Sequence, residues 1–546
     1  MCGLFAVSSL LQRLAALGTV GWVLVLVGGC SGTVPDASPS ADSGPPTAEA
    51  SSPAPSSGVA VRADRIATDA SPREAGGRGE SRAGPESGDR EPACPSVSPR
   101  RQDAAGSTKQ RPRLLADLLE EDAASGSDDS FLSSQGYQGL VLEIDDARVA
   151  AAGIRKLSSQ HLTLYTDLVE QPAVDELPEV FDQAVLQWAA YFDVEPDQLA
   201  DWQIVCFLIE HRPRFETVGL FPSELPPFRN GYQLEQYMWV YDQEEDYYRR
   251  HLFLHEGTHA FMSQILGDLG PPWYAEGMAE LFGTHRWQDG QLTLRYFPRN
   301  RAETPGWGRI RIVQDDLATN QGMMPSGILN YGPQAHLDNS PYGWCWAFAE
   351  FLDSHPDYRA RFRALVERLG QPDFTARFRE ELADDWSDLN EQWQVFVMDL
   401  DYGYDLQRAA IQRRPVQPLP PTGARVSIDA ARGWQSTGIR LEAGQRYEIV
   451  ATGRYQVAET SEIWWCEPGG VTIRYHQGRP LGKLLGAIRD ETQPLSGVSP
   501  LTRPEPIGLS RVWEPRFGGT LYLRINESAA ELHDNAGQLT VQIGPL

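Results

Sequence analysis

The sequence predicts an α+β chain: a small mixed sheet with helices over residues 136–413, then an all-β sandwich over residues 424–546. Three observations predict it. Apolar runs at residues 161–166, 202–209 and 237–241 have the alternation or β-former content of strands. Residues 244–401 then carry mainly helical periodicity. Beyond a proline-rich break, short alternating runs separated by Gly and Asn turns return.

In chain order, residues 1–29 have the pattern of an export signal. Arg13 precedes a hydrophobic stretch that ends in small residues, Gly28-Gly29, before Cys30. The placement of Cys30 resembles the bacterial lipobox, which implies lipidation of that cysteine and a membrane attachment through the lipid. An uncleaved membrane anchor is the alternative, and either places the rest of the chain outside the cytoplasm. Residues 30–135 begin with a Ser-, Pro-, Ala- and Gly-rich segment poor in large apolar groups. Such a segment buries too little surface to offset its ordering entropy and is expected to be a tether. Leu114, Leu115, Leu118 and Leu119 near its end have helical spacing.

Order is expected from about Gly136. A strand at 161–166 precedes a helix in which Leu177, Val180, Phe181, Ala184, Val185 and Trp188 share a face. Residues 202–209 read as a central strand. The strand at 237–241 reads either as a cleft edge able to pair with an extended peptide or as ordinary sheet packing. Pro415, Pro418, Pro420 and Pro421 make residues 414–423 a short stiff linker. In the last segment Leu521, Leu523 and Ile525 alternate with polar neighbours, as do Leu539, Val541 and Ile543.

The chain has 546 residues, with 48 basic and 74 acidic side chains and a net charge of −26. That charge repels phosphate backbones and excludes nucleic acid as an expected partner. The cysteines Cys94, Cys206, Cys345 and Cys466 form no CxxC pair, so neither a disulfide framework nor a cysteine zinc site is expected. Cys206 and Cys345 read as buried thiols.

The chemistry concentrates in His255-Glu256-Gly257-Thr258-His259. On a helix, residues four apart lie on one side, so both imidazoles reach one ion and Glu256 reaches a water on it. Tyr248, Leu252 and Met262 share that face. Gly267 and Gly270-Pro271-Pro272 end the first helix, and residues 273–282 start a second. There Glu276 and Glu280 are again one turn apart. Glu276 is placed to complete the metal site and Glu280 to orient a liganding His. Tyr342 is the first choice for a donor to a developing oxyanion, ahead of Tyr331, His336 and His285. His251 lies one turn before His255 but too far along the helix to join the site.

The set His255-Glu256-x-x-His259 with Trp273-x-x-Glu276-Gly277-x-Ala279-Glu280 resembles the gluzincins, the thermolysin-like zinc peptidases. The resemblance implies a zincin-like fold, Zn2+ on His255, His259 and Glu276, Glu256 as the base, and a peptide or protein substrate. The alternative is a zincin scaffold that cleaves nothing, in a surface adhesion or glycan-binding protein.

A second set runs Gly433-Trp434-x-x-Thr437-Gly438-Ile439, Ala443-Gly444, Ala451-Thr452-Gly453, Gly482-x-Leu484-Leu485-Gly486 and Gly519-Thr520-Leu521-Tyr522-Leu523. It resembles the calcium-dependent galactose-binding lectin fold, a jelly-roll-like sandwich. The ending Asn526-Glu527…Asp534-Asn535-Ala536-Gly537 is similar to that family's calcium loop. The likeness implies Ca2+ on Glu527, Asp534, Asn535 and the Glu531 carbonyl, and a carbohydrate partner. Glu527 stands where that family usually has Asp, and residues 464–478 differ from its sugar-contacting loop.

Overall fold

The computed structural model describes residues 139–223, 225–332 and 338–546. The export signal, Cys30, the tether, Cys94 and His336 lie outside the described residues. Among the described residues, no helix is long and apolar enough to cross a membrane. The composition is mixed α+β, as the sequence predicts.

The first sheet has five strands: β1 (Arg155–Ser158), β2 (Leu162–Thr166), β3 (Ile204–Ile209), β4 (Gly231–Leu234) and β5 (Tyr237–Tyr241). Their order is β1-β2-β3-β5-β4. β2, β3 and β5 run parallel, and β1 and β4 close the edges antiparallel. β3, with five of its six residues fully buried, is central. The strand at 237–241 is internal rather than a cleft edge, because β4 pairs along its outer side. The edge that faces the helices belongs to β4, a short strand without an apolar run of its own.

Helix α1 (Leu177–Phe192) lays its apolar stripe on the sheet. Phe181 and Trp188 on that stripe are fully buried. Phe181 meets Phe253 edge-on with ring centroids 5.5 Å apart, so α1 packs directly on α2 (Asp246–Phe261). Gly257 makes the approach possible: a Cβ there would sit 2.8 Å from Phe181 and 2.9 Å from Trp188. After α2 the chain takes a further π-turn to Gly267, whose φ of 86° only glycine adopts readily. Helix α3 (Pro272–Gly283) begins on Pro272, where a missing N–H costs nothing. Helix α4 (Arg309–Ala318) packs on α5 (Asn339–Ser354), which in turn packs on α3.

Past residue 415 the strands form two larger sheets and two hairpins. One sheet contains Gln435–Leu441, Leu484–Arg489 and Gly519–Ile525. The other contains Ala424–Asp429, Tyr447–Thr452, Ser510–Trp513 and Gln538–Pro545. Ile439, Leu521 and Leu523 of the first share one apolar core with Ile449, Val541 and Ile543 of the second. The alternation at 521–525 and 539–543 therefore points inward as expected.

The helical and β portions meet through a small apolar patch including Val395, Ile411, Trp434 and Tyr522. Buried Glu391 bridges the same boundary, accepting from Arg489 Nε at 3.0 Å and Ser499 Oγ at 2.7 Å. Cys206, Cys345 and Cys466 are free and buried.

Candidate metal centre

The adjacent helices α2 and α3 bring His255, His259 and Glu276 to one point. The Nε2 atoms of His255 and His259 are 3.2 Å apart. Glu276 Oε2 lies 3.4 Å from His255 Nε2 and 3.8 Å from His259 Nε2. Ligand bonds of about 2.0–2.1 Å at tetrahedral angles put donor atoms about 3.3 Å apart, so the triangle has the size of one face of a zinc coordination sphere. Glu276 Oε2 is buried and makes no hydrogen bond. The donor set, two imidazole nitrogens and one carboxylate oxygen, suits a divalent ion such as Zn2+.

Charge is organised around this point. Burial opposes ionisation of His255, but the carboxylates of Glu276 and Glu280 outweigh it and hold its pKa well above the usual histidine value. Burial likewise works against the Glu276 carboxylate, and the two imidazoles outweigh that effect, holding it far below the usual range. Glu256 is buried beside the ligand histidines. Burial raises its pKa, with His255 and His259 opposing the rise.

Glu280 has the place the sequence suggests. Its Oε1 lies 3.3 Å from His255 Nδ1, on the far side of the ring from Glu276. Its other neighbours carry no sequence signal. Arg309 of α4 clamps it with a fork, Nε to Oε2 and Nη2 to Oε1, both at 2.8 Å. That guanidinium overcomes the burial penalty and keeps Glu280 ionised, well below its ordinary pKa. His251 stays outside the His255–His259–Glu276 triangle but enters the network through Glu280: its Nε2 lies 3.3 Å from Glu280 Oε2. His251, His255 and Glu280 thus form a second His–Glu cluster behind the first.

Tyr342, in the first turn of α5, places its ring 5.9 Å from that of His255. The Arg309 guanidinium sits 5.5 Å from the Tyr342 ring centre. Burial pushes the phenol pKa up, as do the nearby carboxylates, so it stays a hydrogen-bond donor at neutral pH. His285 is elsewhere: it stacks on Tyr247 at 4.5 Å, and its Nδ1 bonds the Gly283 carbonyl at 2.8 Å. Tyr331 packs against the apolar core, its pKa raised by burial.

Gly231 of β4 is a further residue that sequence reading misses. A Cβ there would overlap the Glu256 carboxylate. The sheet edge therefore reaches Glu256 only because this position has no side chain.

Of the expected calcium residues, Glu527, Glu531 and Asp534 lie within electrostatic reach of Arg474. Glu531 forms an ion pair with that guanidinium. Asp534 Oδ2 accepts from the Glu459 N–H at 3.1 Å, and Asn535 Nδ2 donates to the Ala430 carbonyl at 3.0 Å. Glu527 Oε2, Asp534 Oδ1 and Asn535 Oδ1 are buried without hydrogen-bond partners. Among the described residues, none of the clusters of three or more His, Cys, Asp or Glu ligand atoms within 4.8 Å of one another includes Glu527, Glu531 or Asp534.

No protein-family model matches the chain, and no curated protein matches it. A solved structure described as "EclA N-terminal domain; PllA-like lectin" is similar at 21% identity over 23% of this chain and 100% of that chain. Its TM-score is 0.18, and at that value the likeness carries no argument about fold or ligand.

Proposed function

We propose that this chain is a zinc-dependent peptidase, with zincin-like architecture in the helical part and an accessory β-sandwich. The observation that carries the reading is the convergence of His255 Nε2, His259 Nε2 and Glu276 Oε2 at tetrahedral spacing, with Glu256 beside them. Zinc held there would polarise the scissile carbonyl and make a water acidic near neutral pH. Glu256 takes a proton from the attacking water and returns it to the leaving amine. Burial favours its protonated form, which suits the second step. The Tyr342 phenol donates to the developing oxyanion. Glu280, held by Arg309, keeps the His255 ring oriented with Nε2 toward the ion. An extended substrate adds to the open edge of β4, which passes directly over Glu256.

Export and a lipid anchor at Cys30 belong to the same proposal and rest on the sequence pattern alone. A second reading concerns the C-terminal part. Three partnerless buried oxygens, on Glu527, Asp534 and Asn535, favour calcium there. With sugar binding added, the whole becomes a non-catalytic adhesion protein on a zincin scaffold.

Metal analysis and peptide-library cleavage separate the readings. Purified protein is expected to hold about one zinc per chain, and His255→Ala to lose it. Glu256→Gln is expected to keep zinc and lose about 10²–10⁴-fold in cleavage rate. Full activity in Glu256→Gln would overturn the mechanism. Absence of any cleavage by zinc-loaded protein, with calcium-dependent glycan binding, would favour the adhesion reading.

A further inference from the structure

A cavity of about 730 Å³ opens beside the boundary between the helical and β portions. None of its lining residues belongs to the His–Glu centre. Four separate stretches of chain build it: residues 356–361, 385–392 and 407–414, together with Arg432. The volume is in the range of small-molecule sites, roughly 300–1,000 Å³.

Its lining is dominated by guanidinium groups. Arg359, Arg361, Arg413, Arg414 and Arg432 face it, against the carboxylates of Asp357, Asp385 and Asp388. Five cations and three anions leave a local excess of two positive charges, in a chain whose net charge is −26. Two arginines are internally neutralised. Arg361 Nη1 pairs with Asp385 at 2.6 Å, and Arg413 Nη2 with Asp388 at 2.9 Å and with buried Glu391, behind the cavity wall, at 3.0 Å. The others are not: the guanidinium groups of Arg359 and Arg414 make no hydrogen bond or ion pair with the described residues, and that of Arg432 makes one, to the Gln407 carbonyl at 3.2 Å. Tyr358 forms an aromatic floor, buried and stacked on His355 at 4.5 Å.

Like charges gathered in one concavity repel, and a multivalent anion relieves that repulsion most effectively. Guanidinium forks pair with phosphoryl or carboxylate oxygens two at a time. The cavity is much larger than a single inorganic anion needs, and most of its wall is polar. We propose that it binds a polar organic molecule carrying phosphoryl or carboxylate groups, through Arg359, Arg414 and Arg432. The site is separate from the metal centre and does not depend on peptidase activity.

Calorimetric titration of the full chain at low ionic strength tests it. Glucose 6-phosphate and glucarate are the charged probes, and glucose the neutral control. At least one charged probe is expected to bind in the micromolar to low millimolar range, and glucose not to bind. The two charged probes separate phosphoryl from carboxylate preference. Arg359→Glu with Arg414→Glu is expected to weaken binding at least tenfold. Arg425→Glu, an exposed strand position outside the cavity, matches the charge change of one substitution and is expected to leave binding unchanged. His255→Ala is also expected to leave it unchanged. Absence of binding by either charged probe would overturn the proposal. So would equal weakening by Arg425→Glu, retained binding in the double variant, or loss of binding in His255→Ala.

Discussion

The His–Glu centre and the acidic loop near the C-terminus both contain carboxylates buried beside an arginine, yet only one has the form of a metal site. In the centre, Arg309 takes the outer carboxylate, Glu280, and leaves Glu276 to face two imidazoles. In the loop, Arg474 pairs with Glu531 inside the acidic group itself. Glu527, without a cation bonded to it, has its pKa pushed up to about 8, chiefly by burial and with Glu531 adding to the rise. A buried carboxylate stays ionised and ready for a metal when bonded cations offset its burial, as Arg309 does for Glu280; where burial and a neighbouring carboxylate outweigh the nearest cation, as at Glu527, it tends toward neutrality.

The largest expected effect tests the outer shell of the centre. Arg309→Ala leaves Glu280 buried without its guanidinium partner, and is expected to cost about 3–5 kcal/mol in unfolding free energy. Glu280→Gln is milder and should weaken zinc binding about 10–100-fold, read by chelator competition. Unchanged zinc affinity in Glu280→Gln would remove the outer shell from the account.

Glu350 of α5 repeats the loop's condition inside the helical core. Burial raises its pKa from 4.5 to about 7, although Ser354 Oγ donates to it at 2.6 Å. The folded state therefore keeps a proton that the unfolded chain releases above 4.5. Stability falls as pH rises across that window, and the full penalty is reached above about 7. Glu350→Gln should be more stable than the parent at pH 8 by up to about 3 kcal/mol, and little different at pH 4. Equal denaturation midpoints at both pH values would show that Glu350 ionises freely.

Gly231→Ala sharpens the contrast at the sheet edge. The added methyl displaces Glu256, so cleavage should fall about tenfold or more, while zinc content stays at one per chain. Loss of zinc instead would mean that the strand supports the ligands rather than the base. The smallest effect is expected in the loop. Millimolar calcium should raise the melting temperature by a few degrees if the partnerless oxygens bind it, and Asp534→Asn should reduce that rise. No calcium response would leave the loop's carboxylates to Arg474 and the backbone N–H groups that bond them.

Helix geometry explains why the centre was legible. The spacing of His255, His259, Glu276 and Glu280 maps directly onto helix faces, and Gly270-Pro271-Pro272 marks the turn between them. Tyr342 was legible only as a residue type near a helix start; its approach to His255 comes from how α5 packs on α3. Strand existence was readable in β2, β3 and β5, but the edge was not, since β4 is short and carries no apolar pattern.

The sequence alone determined the α+β composition, the two helices with their ligand faces, the inward alternation of the C-terminal strands and the acidic character of the chain. These depend on local period and residue type, which a one-dimensional pattern records. Tertiary structure alone decided that Arg309 clamps Glu280, that His251 shares that carboxylate, that Gly231 clears space for Glu256, and that four distant stretches gather five arginines at one cavity. Each of these joins residues of different elements. Their distances are set by packing angles and chain crossings rather than by spacing along the chain.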